Sequence, residues 1–334
     1  MGVICRGGSR AAPRPPPPNP LPPGKGEIEK RQMKRDLLTI LDLSREEIET
    51  LLARARELKA LHHRRVEHTP LKGKILAMIF DKPSTRTRVS FEAGMAQLGG
   101  SSIYLAPGQT QLARNEPVAD TARVLSRYVD GVVIRTFAQE TVAELARHAA
   151  IPVINGLTDA HHPCQVLSDL MTMEERFGRL SGLKVAWVGD GNNMANSWIT
   201  AALHLDFTLN LACPRGYEPD AALLEQAKKV GRCINLGQDP AWAVKDVHVI
   251  NTDVWASMGQ EDEAAARRQV FKPYQVNAEL LKLALPEAIV LHCLPAHREE
   301  EITTAVLEGP QSAVWDQAEN RLHFQKALLE WLLG

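Results

Sequence analysis

The sequence lacks any apolar run long enough to span a membrane, and it lacks the apolar N-terminal core of a signal peptide. It has only five cysteines among 334 residues, an odd number without paired spacing, which excludes a disulfide framework and indicates reduced thiols. It also lacks a strong overall charge, because the formal net charge is -1. We therefore expect a cytoplasmic protein that does not bind membranes.

The small net charge is unevenly spread along the chain. Residues 1–32 hold six Arg or Lys against two Glu, so the remainder carries -5. A mildly acidic remainder is a poor surface for general nucleic-acid binding. Residues 11–23 contain eight of the 21 prolines, which predicts a disordered tail. Patterned sequence begins at Met33, so we expect residues 1–32 to lie outside the folded protein, with Met33 as a candidate native start.

From Met33 onward, apolar strand-like runs alternate with helical patterns. This rhythm predicts an α/β fold with two doubly wound parallel-sheet domains joined by interdomain helices. The predicted domains are residues 33–165 and 166–317, and residues 318–334 form a C-terminal helix that packs back on the first domain. We also expect a last strand at Ala313–Asp316 and place the final helix at Glu319–Leu333.

Ligands of doubly wound sheets bind beyond the carboxyl ends of the strands, so the residues after each strand are the informative ones. The predicted strand Lys74–Phe80 is followed by Ser84–Thr87 at a strand-to-helix turn. Free N–H groups and the helix dipole favour an anion there, and Arg86 and Arg88 add guanidinium groups suited to phosphate. The alternative is an ordinary capped helix with surface arginines.

Two further strand ends of the first half carry candidate residues. Arg135 ends an apolar strand, and because a buried unpaired charge is costly, it indicates either an ion pair or a ligand contact, with the ligand slightly favoured. His162 and Gln165 project from a helix that begins at Pro163. A histidine there can stabilise developing negative charge. Cys164 as a nucleophile is disfavoured, since nothing marks it as an activated thiol.

In the second half of the chain, candidate residues again follow predicted strands, but their side chains suit a polar or cationic ligand. Gly189–Met194 follows a strand but lacks the third glycine of a dinucleotide fingerprint, which disfavours a nicotinamide cofactor. Its two asparagines, of which Asn193 is one, offer amides to a polar ligand. Asp253 follows another strand and suits an ammonium group, or else caps a loop, while Met258 suits an alkyl chain. Cys293 ends the next strand as a ligand-facing thiol or a core residue.

Histidines cluster near the end of the helix predicted from Ser44, which has Glu47 in the capping-box position. His62, His63 and His68 lie there among charged residues, and we interpret them as a solvated helix end instead of a metal site. The bond between Leu294 and the following proline is left open as cis or trans.

In their order along the chain, these motifs resemble the transcarbamylase family, most closely its ornithine-carbamoylating branch. Ser84–Arg88 (Ser-Thr-Arg-Thr-Arg) is similar to the family's carbamoyl phosphate loop, and His162–Gln165 (His-Pro-Cys-Gln) to its second signature. Asp253–Gly259 resembles the ornithine loop and His292–Pro295 (His-Cys-Leu-Pro) the fourth signature. The resemblance runs from about Met33 to the C-terminus.

The resemblance implies transfer of a carbamoyl group from carbamoyl phosphate to L-ornithine, giving L-citrulline and phosphate for arginine biosynthesis, with no metal or organic cofactor. The implied carbamoyl phosphate ligands are Ser84, Thr85, Arg86, Thr87, Gln111, Arg135, His162, Gln165, Cys293, Leu294 and Arg321. The implied ornithine ligands are Asn193, Asp253, Ser257 and Met258. The implied catalytic residues are Arg86, Arg135, His162, Asp253 and Cys293. Gln111 is implied to act across a subunit interface, so we expect a homotrimer with active sites at its interfaces.

Several alternatives stay open at this point. Another amine, such as putrescine or N-acetylornithine, is a possible acceptor, whereas aspartate would need basic groups that the Asp253 loop lacks. Two alternatives of other classes are a non-catalytic binding protein on the same fold and a nicotinamide dehydrogenase. Glu299 stands where the family often has glycine, which bears on closure of that loop.

Overall fold

The strands described in the computed structural model form two sheets, each parallel throughout. The structure describes residues 34–106, 108, 116–257, 259 and 261–334. The predicted proline-rich tail and the predicted ligands Gln111 and Met258 lie outside these residues. Within them, Lys34–Gly334 form one compact unit.

The first sheet has the strand order β2-β1-β3-β4. Its elements, with the helices between them, are α1 (Arg45–His63), β1 (Ile75–Phe80), α2 (Thr85–Gln97), β2 (Ser101–Leu105), α3 (Val118–Leu125), β3 (Gly131–Arg135), α4 (Gln139–His148) and β4 (Val153–Leu157). The capping box predicted at the start of α1 is confirmed, because Ser44 and Glu47 each bond the other's backbone N–H.

The helix α5 (Pro163–Phe177) carries the chain to the second sheet, of order β7-β6-β5-β8-β9. The elements that follow are β5 (Lys184–Val188), α6 (Asn193–His204), β6 (Thr208–Ala212), α7 (Ala221–Lys229), β7 (Ile234–Gly237), α8 (Pro240–Val244), β8 (Val249–Thr252), α9 (Ala264–Phe271), α10 (Ala278–Leu281), β9 (Ile289–His292), α11 (Thr304–Leu307) and α12 (Val314–Leu333). Short 3-10 helices lie at Ile40–Asp42, Glu261–Glu263 and Lys272–Tyr274.

Strands β1 and β3 are the inner strands of the first sheet, and their side chains are buried almost throughout. Helices covering both faces account for this burial, since a parallel sheet needs its two faces covered. Phe80 pairs with Arg135 in the register of these strands, so both strands end together at one edge of the sheet. The predicted fold class is therefore confirmed, and the turns that carry polar residues meet where the strands end.

The two sheets share one apolar core. It includes Leu76 of the first sheet, Leu167 of α5, Trp187 of the second sheet and Phe324 of α12, all of them without solvent exposure. The helix α12 packs against α1, α2 and α5. No helix among the described residues is both long and apolar enough to cross a membrane.

Three details of the second half differ from the sequence-based prediction. Ala313–Asp316 is not a strand, because α12 begins at Val314, five residues before the predicted start, and the predicted boundary between residues 317 and 318 falls inside this helix. A short buried apolar run fits either element, and packing decides between them. The strand Ile234–Gly237 was not predicted, since it is a four-residue edge strand with little apolar alternation.

Candidate active site

A cavity of about 800 Å³ lies at the carboxyl ends of the strands, between the two sheets. The turn from β1 into α2 lines its first-sheet side with residues Ser84 to Thr87. Ser84 is the N-cap of α2, and its hydroxyl accepts a hydrogen bond of 3.2 Å from the Thr87 N–H. The strand-to-helix turn predicted from the sequence is thus confirmed, and its helix N-terminus faces the cavity.

Three arginines surround this helix N-terminus: Arg86, Arg135 and Arg321. Arg135 and Arg321 are buried, and each of the three has a buried Nε without a hydrogen-bond partner in the described part of the chain. Burial lowers the pKa of Arg135, and together with the nearby charges of Arg321 and Arg86 it brings this pKa to about 10. Three guanidinium groups held together at a cost in free energy indicate a binding site for an anion.

Arg321 is held in place by one side chain of α2 and one of α5. Its Nη2 donates to the Thr87 hydroxyl at 2.7 Å, and its Nη1 donates to the Gln165 Oε1 at 2.8 Å. Gln165 is almost fully buried and lies behind Arg321, outside the cavity lining. The structure thus connects Gln165 to the site through Arg321, and its role as a carbamoyl phosphate ligand, which the resemblance implies, stays a prediction.

The buried carboxylate of Asp169 orients the side-chain amide of Gln165. Asp169 was not predicted from the sequence as a residue of the site. Asp169 accepts hydrogen bonds from Gln165 Nε2 at 2.8 Å and Gln317 Nε2 at 2.6 Å, and from Asn251 Nδ2 at 3.3 Å. Because Asp169 takes the Gln165 amide N–H, the Gln165 carbonyl is left to accept from Arg321. Burial raises the pKa of Asp169 to about 7, although the amides and Arg321 act in the opposite direction.

We expect this carboxyl group to make stability depend on pH. Between about pH 4 and pH 7 the folded protein keeps a proton on Asp169 that the unfolded chain releases, so the free energy of unfolding falls as pH rises through this range. Asp169→Asn cannot titrate. In urea unfolding at several pH values, the wild type should therefore lose stability relative to Asp169→Asn as pH rises, with no further change above about pH 8. A difference independent of pH would contradict the expectation.

His162 precedes Pro163, the first residue of α5, as the sequence predicted. Its backbone N–H donates to the Ser197 hydroxyl at 2.8 Å, and its side chain lines the cavity. Burial lowers the pKa of His162 well below its usual value, and Arg321, Arg135 and Arg86 reinforce the shift. The imidazole is therefore neutral, and it can donate one hydrogen bond without adding charge. Cys164 does not line the cavity, its thiol donates to the Asn155 carbonyl, and burial raises its pKa to about 12, so it is no activated nucleophile.

The second sheet faces the cavity with a carboxylate. Asp253 follows β8, is buried, and accepts a hydrogen bond of 3.0 Å from Asn192 Nδ2. Cys293, at the end of β9, donates its thiol hydrogen to Asp253 Oδ1 at 3.0 Å. Burial and then Asp253 raise the pKa of Cys293 well above the usual value, so the group is a thiol. No Lys or Arg in the described ranges forms an ion pair with Asp253, which leaves it available to a cationic ligand.

The turn after β9 is stabilised by a buried hydrogen-bonded pair, His292 and Glu301. His292 Nδ1 accepts from the Leu294 N–H at 2.9 Å, so its Nε2 carries the hydrogen that is donated to Glu301 at 3.1 Å. The Leu294–Pro295 bond is cis. Glu299, in the loop beyond, has a φ of 67°, a conformation that favours glycine. This backbone conformation agrees with the glycine that the family resemblance leads us to expect at this position.

Twelve of the predicted site residues line this one cavity: Ser84, Thr85, Arg86, Thr87, Arg135, His162, Asn193, Asp253, Ser257, Cys293, Leu294 and Arg321. Asn193 is held by a bond of 2.6 Å from its amide to the Thr158 carbonyl. Gln165 lies behind the lining, as described above.

Two charged pairs at the cavity were missed by the sequence analysis. Lys82 is buried, pairs with Asp159 and lies 4.4 Å from the centre of the Phe137 ring. Arg267 of α9 pairs with Asp190 at 2.8 Å. Both acidic partners follow predicted strands, and that position was the signal available for them.

Two parallel sheets, with a cavity at their strand ends and an arginine-rich helix N-terminus beside it, define an α/β enzyme that handles an anionic substrate. Comparison with known proteins narrows this class. Residues 35–175 match the family described as aspartate/ornithine carbamoyltransferase, carbamoyl-P binding domain. Residues 181–332 match aspartate/ornithine carbamoyltransferase, Asp/Orn binding domain.

Individual relatives of the chain give the same family assignment. The ornithine carbamoyltransferase of Syntrophus aciditrophicus is 57% identical over 302 residues, covering 90% of this chain and 100% of that protein. An anabolic ornithine carbamoyltransferase of Pseudomonas aeruginosa is 56% identical over 299 residues, with 90% and 97% covered. The solved structure of ornithine carbamoyltransferase from Pyrococcus furiosus has a TM-score of 0.86 at 52% identity, with 90% and 97% covered. The chain belongs to the aspartate/ornithine carbamoyltransferase family, which confirms the resemblance found in the sequence.

Proposed function

We propose that this protein transfers the carbamoyl group of carbamoyl phosphate to the δ-amine of L-ornithine and thereby forms L-citrulline and phosphate for arginine biosynthesis. The observation that carries the proposal is the division of the cavity. Three guanidinium groups and a helix N-terminus occupy one side, and the carboxylate of Asp253 faces it from the other. The first side suits the anionic donor and the second the cationic acceptor.

On the donor side, the phosphate binds at the N-terminus of α2, with Ser84, Thr85 and Thr87 as hydrogen-bond donors and Arg86 as its counter-charge. The carbamoyl oxygen lies toward Arg135 and His162. Arg321 spans the two positions, because Thr87 and Gln165 fix its guanidinium plane. Leu294 also lines the cavity and is a further proposed ligand of carbamoyl phosphate. Gln111 remains a proposed ligand from a neighbouring subunit.

On the acceptor side, the buried carboxylate of Asp253 favours an amine over a second carboxylate, which supports ornithine and argues against aspartate. Asn193 and Ser257 line the same part of the cavity and suit the α-amino and α-carboxylate groups of ornithine. Met258 is the proposed contact for its alkyl chain. The thiol of Cys293, bonded to Asp253, helps to orient the amine.

The chemistry needs no activated nucleophile on the protein. The δ-ammonium group of ornithine first releases a proton to solvent. The neutral δ-amine then attacks the carbonyl carbon, a C–N bond forms, and the C–O bond to phosphate breaks as the tetrahedral intermediate collapses. Arg135 and His162 stabilise the oxyanion, and Arg86 stabilises the leaving phosphate. Phosphate takes the proton that the amine loses. Holding the two substrates in one cavity supplies the proximity contribution.

The remaining expectations are proposals of the same kind. Residues 33–165 form the carbamoyl phosphate half and residues 166–317 the ornithine half. The enzyme is a cytoplasmic homotrimer with its active sites at subunit interfaces. Exposed apolar side chains on α2 and β2, namely Val89 and Ile103, support an oligomer, because large apolar residues at a surface often mark an interface.

The test is an acceptor comparison on the purified oligomer, whose mass light scattering should give as three chains. Citrulline formation is measured with carbamoyl phosphate and ornithine, beside reactions with aspartate, putrescine and N-acetylornithine. We expect turnover with ornithine and, for the other three amines, rates lower by about 10² or more, because each lacks or alters a charged group that the cavity binds. Turnover with another amine would overturn the acceptor assignment. A trimer without any turnover would favour a binding protein on this fold.

A further inference from the structure

Two helices bring together three metal-ligating side chains outside the cavity. His63 lies in the last turn of α1, and Glu319 and His323 lie one turn apart on α12. We propose that His63, Glu319 and His323 bind a divalent transition-metal ion such as Zn²⁺. The sequence alone indicated a solvated helix end for His63, because the other two residues are about 260 positions away and only the packing of α12 on α1 brings them close.

The geometry of the three groups suits a metal ion. His63 Nε2 lies 2.7 Å from Glu319 Oε1, and His323 Nε2 lies 3.3 Å from the same oxygen. The ligand atoms of all three residues lie within 4.8 Å of one another. In a tetrahedral zinc site with bonds of about 2.0–2.1 Å, neighbouring ligand atoms are about 3.4 Å apart. Small side-chain rotations therefore suffice to place an ion between them.

The surroundings of the three side chains also suit metal binding, because they give an ion access and leave the buried histidine free to act as a ligand. The His63 side chain is 56% exposed, which gives an ion access and leaves a coordination position for water, whereas the His323 side chain is fully buried. The buried Nδ1 of His323 has no hydrogen-bond partner among the described residues, so Glu319 is the one polar contact that holds this ring. Burial lowers the pKa of His323 to about 4, so its imidazole is neutral and can act as a ligand near pH 7.

Other charged groups face this cluster and set the conditions of the experiment. Lys59 Nζ lies 4.0 Å from Glu319 and 3.0 Å from Glu175, and it competes with a metal for the Glu319 carboxylate. Lys326 and His62 also act on His323 electrostatically. A metal measurement should therefore be made at one fixed pH, because metal binding competes with protons for the ligand atoms.

The test uses the full-length protein carrying Cys293→Ser, since Asp253, His292 and Cys293 form a second group of metal-ligating atoms. Zn²⁺ binding is measured by calorimetry, and Co²⁺ is used as a spectroscopic probe of the ligand geometry. We expect one equivalent to bind with a tetrahedral Co²⁺ spectrum. Adding His63→Ala should weaken binding by about tenfold or more and remove the spectrum, because a ligand is lost.

The matched control is His297→Ala in the same background. His297 is a half-exposed histidine beside Glu300 and Glu301, the third group of possible ligands. We expect this variant to bind Zn²⁺ as the background does. Equal binding by the His63→Ala protein, or weaker binding in His297→Ala alone, would overturn the proposal. Urea unfolding with a chelator should be the same for both variants, which shows that each folds. The result does not depend on the proposed carbamoyl transfer.

Discussion

Replacing Arg86 by alanine is expected to lower the kcat of citrulline formation by about 10³-fold or more, because the variant loses a charged hydrogen-bond donor to the phosphate that leaves in the reaction. Arg86 lies at the start of α2 and lines the cavity beside two further guanidinium groups. Steady-state kinetics with saturating ornithine is the measurement. The effect should fall on kcat as well as on the KM for carbamoyl phosphate, since charge on the phosphate grows as the bond breaks.

Arg88→Ala is the matched control for this experiment. Arg88 belongs to the same helix two residues further on, where it pairs with Glu92 at 3.0 Å and lies 3.7 Å from the centre of the Tyr104 ring. It does not line the cavity. We expect its kcat to stay within about fivefold of the wild type, because exposed ion pairs contribute little. If Arg86→Ala keeps a rate within tenfold of the wild type, the assignment of the phosphate site is wrong.

Asp253→Asn should lower the catalytic efficiency with the second substrate, ornithine. The change keeps the shape of the side chain but removes the negative charge that we place against the amine of ornithine. Losing one partner of a buried charged contact costs about 2–5 kcal/mol, so kcat/KM for ornithine should fall by about 30-fold to 4 × 10³-fold. The KM for carbamoyl phosphate should change by less than about threefold, because the donor binds at α2 on the opposite side of the cavity.

Asp220→Asn makes the same chemical change in the same half of the molecule. Asp220 caps α7 by accepting from the Ala222 and Leu223 N–H groups, outside the cavity lining, and asparagine caps a helix about as well. Its kinetics should match the wild type. A comparable loss for both substrates in Asp253→Asn would show that the cavity had been distorted, and it would count against Asp253 as the acceptor residue.

The sequence by itself determined most of the secondary structure that positions the site. Apolar runs predicted the strand that ends at Phe80, and the residues after it predicted the N-terminus of α2. The capping box of Ser44 and Glu47 marked the start of α1, and Pro163 marked the start of α5. These features depend on interactions between residues a few positions apart, so local sequence is enough to define them.

The residues that follow the predicted strands also gave much of the cavity lining, because parallel strands place their following residues at one edge of a sheet. Other lining residues, such as Ser257 and Arg321, came only from the family resemblance. Local sequence did not distinguish a residue that faces the cavity from one that supports it. The side chain of Gln165 bonds to Arg321 outside the cavity lining, and the buried Asp169 that orients it was not predicted at all. Which side of a helix faces a ligand depends on how that helix packs.

Only the tertiary structure decided whether the run that begins at Ala313 forms a last strand or the start of the final helix. The run beginning at Ala313 fitted a strand or a helix, and packing against α1, α2 and α5 made it the first turn of α12. The same packing brings Arg321 to Thr87 and His323 to His63. Contacts between residues so distant along the chain form only when the whole apolar core is buried, which no local pattern reports.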